Sequence, residues 1–284
     1  MSKESPVPIV VAFVADVFFQ VKIDQAAEGL GYRVEWVEQA EQLESPGGEL
    51  PARQLAEHLV GPGAALLDRL TLWQPALILV DLNNADIPWR EWVSLIKSVP
   101  ATRRIPLVCF GSHVDAGSLS AARERGADAV MPRSQFSAAL PEVIRKYARL
   151  PDTAAIESAC QQDLSAKALR GLEEFNRGEY FQAHESLEEA WNEDLTAGRE
   201  LYRAILQVAV AYLQIERKNY NGAVKMFLRL RQWITPLPAE CRGVDIARLK
   251  DDAQQVYERL IALGPENMAE YDPGLIQPVR YRAG

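Results

Sequence analysis

Only three cysteines, three histidines and four methionines occur among the 284 residues, and no apolar run approaches the length that crosses a bilayer. Cys109, Cys160 and Cys241 are odd in number, far apart and without a Cys-x-x-Cys pair, so neither a disulfide framework nor a thiolate zinc site is expected. A reducing, cytoplasmic setting fits that pattern. The opening Met-Ser-Lys-Glu-Ser-Pro is polar and the apolar run after it is broken by Asp16, which argues against a signal sequence or a membrane span. A basic excess is missing as well: 31 Lys and Arg stand against 39 Asp and Glu, for a net charge of −8. Without a basic stripe to track phosphates, nucleic acid is not an expected partner. No Ser-His-Asp or Cys-His pattern stands out, and neither Gly47-Gly48 nor Gly61-Pro62-Gly63 precedes a strand-to-helix phosphate loop.

What is present is ordinary globular composition, 48% hydrophobic and 25% charged, on a chain long enough for two cores. Residues 1–150 alternate short apolar runs with amphipathic stretches, the βαβα pattern of a parallel sheet covered on both faces. Strands are predicted near 9–15, 33–38, 77–82, 107–110 and 129–131, and helices near 18–30, 52–72, 89–97, 117–125 and 136–148. Residues 39–74 exceed what one crossover needs, and the turn signals Ser45-Pro46-Gly47-Gly48 and Gly61-Pro62-Gly63 divide them into a loop and a lengthened or broken helix. After Leu150 strand signals stop. A linker is expected over 151–162, an all-helical domain over 163–265 and an extended tail over 266–284. The fold class expected is therefore α/β followed by all-α: a five-stranded, doubly wound parallel sheet of flavodoxin-like order, then a helical-hairpin bundle.

The helical part carries a weak internal repeat, Arg177-Gly178-Glu179-Tyr180-Phe181-Gln182-Ala183 against Arg217-Lys218-Asn219-Tyr220-Asn221-Gly222-Ala223. A tight turn, a tyrosine and an alanine three residues later suit close antiparallel helix packing. Two hairpins and a final helix near 244–263 would close a small bundle.

In the α/β half, Asp81 ends the third strand and Gly126-Ala127-Asp128-Ala129-Val130-Met131 leads into the fifth. This arrangement resembles the receiver domain of two-component response regulators. The resemblance implies Asp81 as phosphoryl acceptor, but the rest of the set departs from it. Asp16 is a lone acid where the family has a pair, Gly111 takes the place of the Thr or Ser with Ser112 one residue late, Arg133 replaces the lysine, and Ser134 replaces the following proline. A planar guanidinium where a compact ammonium is expected, and one metal carboxylate fewer, predict slow or absent phosphotransfer. The domain then reads as a pseudo-receiver, a module for interaction with a protein partner or for self-association.

In the helical half, the segment 171–191 centres on His184-Glu185-Ser186-Leu187-Glu188. With Gln207 and Asn219-Tyr220-Asn221-Gly222-Ala223 it resembles the family known as domain of unknown function 309, whose members are often labelled predicted metal-dependent hydrolases. His184, Glu188 and Trp191 fall at i, i+4 and i+7 and share a helical stripe. Arg203, Gln207 and Gln214 lie on one side of the following helix. Two readings stay open. Asn176, His184, Glu188, Arg203 and Gln207, with Gln214 nearby, form a buried hydrogen-bond network that fixes the hairpins. Alternatively His184, Glu185 and Glu188 hold a divalent metal, Zn, Mn or Mg, for hydrolysis. The place of a second zinc-ligating histidine one turn on is taken by Glu188, so the zinc-protease pattern is not met. The chain is expected to be a regulatory or scaffold protein, with a metal-dependent hydrolase as the alternative.

Overall fold

A computed structural model describes residues 7–43 and 61–282. The contacts of these residues divide into two units, residues 7–43 with 65–150, and residues 61–64 with 151–282.

The first unit contains a five-stranded parallel sheet, β1 (Ile9–Phe13), β2 (Arg33–Trp36), β3 (Leu77–Asp81), β4 (Leu107–Gly111) and β5 (Ala129–Pro132), in the order β2-β1-β3-β4-β5. This is the doubly wound order expected from the sequence. Every residue of β3 and β4 is buried, as central strands covered on both faces require. Alternate strand residues feed two cores. Val11, Phe13, Ile78, Val80, Leu107 and Cys109 meet Leu66 and Leu70 of α2 (Pro62–Trp73), Trp92 and Ile96 of α3 (Trp89–Ser98) and Leu119 of α4 (Ala116–Glu124). On the other face Val10, Ala12, Leu77, Leu79, Val108 and Phe110 meet Ile23 and Ala27 of α1 (Val17–Glu28), Phe136 of α5 (Arg133–Ala138) and Leu140, Val143 and Ile144 of α6 (Leu140–Tyr147). Phe110 and Phe136 stack with centroids 3.9 Å apart.

One departure from expectation has a local cause. The single helix predicted over 136–148 is two, because Pro141 has no N–H to continue the ladder and Ala139 leaves helical geometry at φ −116°, ψ 22°. Of the predicted second helix, 52–72, residues 52–60 lie outside the described residues, as do Ser45-Pro46-Gly47-Gly48 and His58.

The second unit begins where a linker was expected. Thr153–Cys160 form helix α7, capped by Asp152, whose carboxylate accepts from the Ala155 N–H. The helices α8 (Ala166–Asn176) and α9 (Tyr180–Glu193) form one hairpin, α10 (Glu200–Glu216) and α11 (Tyr220–Ile234) a second, and α12 (Ile246–Leu263) follows. The internal repeat is real in three dimensions. Tyr180 and Tyr220 each open the second helix of a hairpin and are buried, as are Ala183 and Ala223. The residues two before each tyrosine, Gly178 at φ 79° and Lys218 at φ 54°, both take the left-handed turn. Gly171 lets α8 approach α9, since a Cβ there would stand 2.7 Å from Leu187 Cγ.

The unit is not wholly helical. A two-residue hairpin, β6 (Glu240–Cys241) and β7 (Val244–Asp245), precedes α12. The tail expected to be extended forms short 3-10 turns at Pro265–Glu270 and Pro273–Leu275. It is then held by the hairpin, where Arg282 N–H donates to Gly243 O and Asp245 N–H to Arg280 O. The cysteine expectation is corrected as well: Cys160 and Cys241 form a disulfide between α7 and β6. An 81-residue separation gives no sequence cue to that pairing; beside it the Arg242 N–H donates to Cys160 O at 2.8 Å. Cys109 alone is a free thiol, buried in the sheet, and burial pushes its pKa up.

Candidate functional site

Three charged side chains converge at the C-terminal ends of the parallel strands. Asp81 closes β3, Asp16 caps α1 by accepting from the Phe18 N–H, and Arg133 opens α5 directly after β5. Since β4 separates β5 from β3, the Arg133 side chain reaches across the end of β4. Its Nη2 donates to Asp81 Oδ2, its Nη1 lies 3.5 Å from Asp16 Oδ2, and its guanidinium rests 5.0 Å above the Phe19 ring. The other Asp81 oxygen accepts from the Asn83 N–H at 3.0 Å. Asp81 is 1% exposed. Burial pushes its pKa up, and the Asn83 N–H and Arg133 pull it part of the way back.

The rest of the receiver set is committed elsewhere. A Cβ on Gly111 would stand 3.1 Å from Leu82 Cβ, so a hydroxyl residue there requires Leu82 to move. Ser112, one residue on, donates its N–H to Asn83 Oδ1 and accepts from the Val114 N–H at its own hydroxyl, closing a loop. Magnesium does not fit this arrangement. It needs several hard oxygen ligands, and the two carboxylates present already face a guanidinium.

The polar residues singled out on the helices are dispersed. Asn176 clamps the tail, donating to Val279 O at 2.9 Å and accepting from the Val279 N–H at 2.8 Å. Gln214 accepts from the Asn219 side chain at 2.7 Å and so braces the α10–α11 turn. His184 is half-buried, Glu185 and Glu188 are exposed, and neither His184 nor Glu188 has a hydrogen-bond or ion-pair partner among the described residues. Gln207 is 6% exposed and its Oε1 has no donor. The expected closed network is therefore not formed. Nor is the expected metal site: among the described residues no three His, Cys, Asp or Glu side chains are grouped to hold an ion. Glu174 accepts from the Ser186 hydroxyl at 2.6 Å, and Ser186 accepts from Arg170 Nε at 3.0 Å.

Arg203 belongs to a different constellation. Its guanidinium lies 4.3 Å from the Trp191 ring and 4.0 Å from the Trp233 ring, and Arg199 lies 4.0 Å from Trp191. A second centre, unanticipated from sequence, surrounds Arg242. This buried residue, at φ 52°, reaches Asp194 at 2.8 Å, the Tyr202 hydroxyl, Thr196 at 3.0 Å and Ala159 O at 3.2 Å. Burial alone would raise the Asp194 pKa, but the Thr196 N–H and hydroxyl and Arg242 more than offset it and hold the carboxyl below its ordinary value. Cys241-Arg242-Gly243 carries no motif, so only the adjacent turn glycine hints at a special backbone.

Solved receivers resemble the first unit. The phosphorylated cyanobacterial phytochrome response regulator RcpA is 18% identical, covers 51% of this chain and 99% of its own, and has a TM-score of 0.38. A receiver domain from Rhodospirillum rubrum is 17% identical over 51% of this chain and 97% of its own, with a TM-score of 0.36. The strand order, more than these scores, fixes the fold. A curated relative, the uncharacterized protein YpuF of Bacillus subtilis (strain 168), is 38% identical over 88 residues, which is 29% of this chain and 49% of that protein; the match thus spans about half of the relative's length. Residues 168–226, running from α8 into α11, match the model of the family described as domain of unknown function (DUF309), and it is over this double hairpin that the chain is similar to that family.

Proposed function

We propose that the chain is a regulatory or scaffold protein in which the receiver-like module is held in one state without phosphorylation, and the helical module carries binding to a protein partner or to a second copy. One observation carries the reading: Arg133 sits on Asp81 and Asp16, so the carboxylate that would accept a phosphoryl group is already neutralised from within. In a working receiver, charge at this position changes on modification, and that change biases the fold between two states. Here the neutralising cation is part of the chain, and Gly111 itself supplies no hydroxyl to register a phosphoryl oxygen.

The test is incubation of the full chain with acetyl phosphate and Mg²⁺, read by intact mass. No adduct at Asp81 is expected. A stoichiometric, Mg²⁺-dependent mass increase that disappears in Asp81→Asn would overturn the reading.

A further inference from the structure

We propose that the outer face of the α9–α10 pair carries an oxyanion-binding site built on Arg199, Trp191 and Arg203. The proposal goes beyond the receiver reading, on which it does not depend.

Arg199 and Arg203 lie over the Trp191 ring at 4.0 and 4.3 Å, so two cationic groups share one indole. Trp233 stands 4.0 Å from Arg203 and extends the stack. Cation–π contact stabilises a guanidinium in place but satisfies none of its in-plane N–H donors. Two donors in this contact are buried and orphaned: Arg199 Nε and Trp191 Nε1. Nε is bonded to the carbon that rests on the indole, and Nε1 is an atom of that indole, so the two donors are neighbours. No carboxylate is paired with Arg199 among the described residues, although the chain as a whole is acidic. Glu200 lies 3.5 Å from Arg203 one turn along the helix, at the edge of hydrogen-bonding range.

Two adjacent buried donors and an unneutralised positive charge call for an acceptor that is itself negative. A carboxylate or a phosphate meets both demands, because a guanidinium binds such groups through parallel N–H···O bonds and an indole N–H can add a third. Trp191 and Arg199 are half-buried and Arg203 keeps 17% of its side chain exposed, but Nε and Nε1 themselves are closed to solvent, so an anion reaches them only as the Arg199 side chain shifts on the indole. A water molecule would satisfy one donor but not the charge. Neutral ligands lack the negative charge that fits this face, and a cation would be repelled.

The experiment follows the ¹⁵N-labelled indole resonance of Trp191 in the full chain, identified as the one missing from Trp191→Phe. Sodium phosphate and sodium acetate are titrated separately, with sodium chloride holding ionic strength constant. A saturable shift of the Trp191 resonance with either oxyanion is expected, at least 10-fold weaker in Arg199→Gln, whose other indole resonances stay in place as evidence of folding. Response to phosphate alone assigns a phosphate ligand and response to acetate alone a carboxylate. A Trp191 resonance that moves no more with either oxyanion than with chloride, or that moves equally in Arg199→Gln, would sink the proposal. Neither failure touches the Asp81–Arg133 reading, which is measured by mass.

Discussion

The two halves of the molecule treat their polar residues in opposite ways. At the sheet, three residues far apart in sequence, Asp16, Asp81 and Arg133, meet at one point. On the helices, six polar residues within about forty positions go to separate places: the tail, the outer face, an aromatic stack, the interior of the bundle and a turn. A parallel sheet gathers the C-terminal ends of all its strands at one edge, so residues at those ends are brought together whatever lies between them. A helix spreads residues along its axis instead. Arg203 and Gln214 share a side of α10 but are separated by about 16 Å at 1.5 Å per residue.

The contrast is tested most strongly at the ionic centre that the helical half does possess. Arg242→Met should cost about 3–5 kcal/mol, because it removes the buried guanidinium that the half-buried Asp194, the Tyr202 hydroxyl and Ala159 O share, and leaves the Asp194 charge unpaired. Urea unfolding monitored by far-UV circular dichroism gives the number. A loss below about 1 kcal/mol would mean that Arg242, too, is a dispensable polar residue and that the helical half has no concentrated polar centre.

The sheet-edge triad should respond less, and with a characteristic pH dependence. Burial raises the Asp81 pKa, so the folded chain binds that proton more tightly than the unfolded chain does. The contribution of this proton is therefore present below the ordinary carboxylate range and is lost as pH rises through the raised value. Arg133 offsets the loss at neutral pH. Arg133→Gln should cost about 2–3 kcal/mol near neutrality, toward the low end for a buried pair since the guanidinium is partly solvated, and distinctly less at lower pH, as Asp81 takes up its proton. Unfolding free energies measured at the two pH values decide it. An equal penalty at both would show that Arg133 acts through packing on Phe19 and not through charge.

The smallest effect belongs to Glu188. It is exposed and without a partner among the described residues, so Glu188→Gln should change stability by less than about 0.5 kcal/mol. A cost of about 2 kcal/mol or more would restore the closed network expected from the His184 stripe and erase the contrast between the halves.

The sequence by itself determined the element types and much of the order. The all-apolar runs of β3 and β4 and the Tyr-x-x-Ala repeat are local patterns, legible because strand and helix periodicity reflect which side chains face a core. Asp81 was legible as a site residue for the same reason: its position at the end of a central strand fixes where it lies. Partners were not legible. Whether Arg133 points at Asp81 or at solvent, whether Asn176 meets His184 or Val279, and whether Cys160 finds Cys241 all depend on contacts between segments up to 103 residues apart. Helical spacing says that His184 and Glu188 share a face, but only the packing of α8 and α10 against α9 decides whether that face is inside. That packing put Ala183, Leu187 and Ala190 in the core and left the carboxylate of Glu188 in water, where a lone charge costs least.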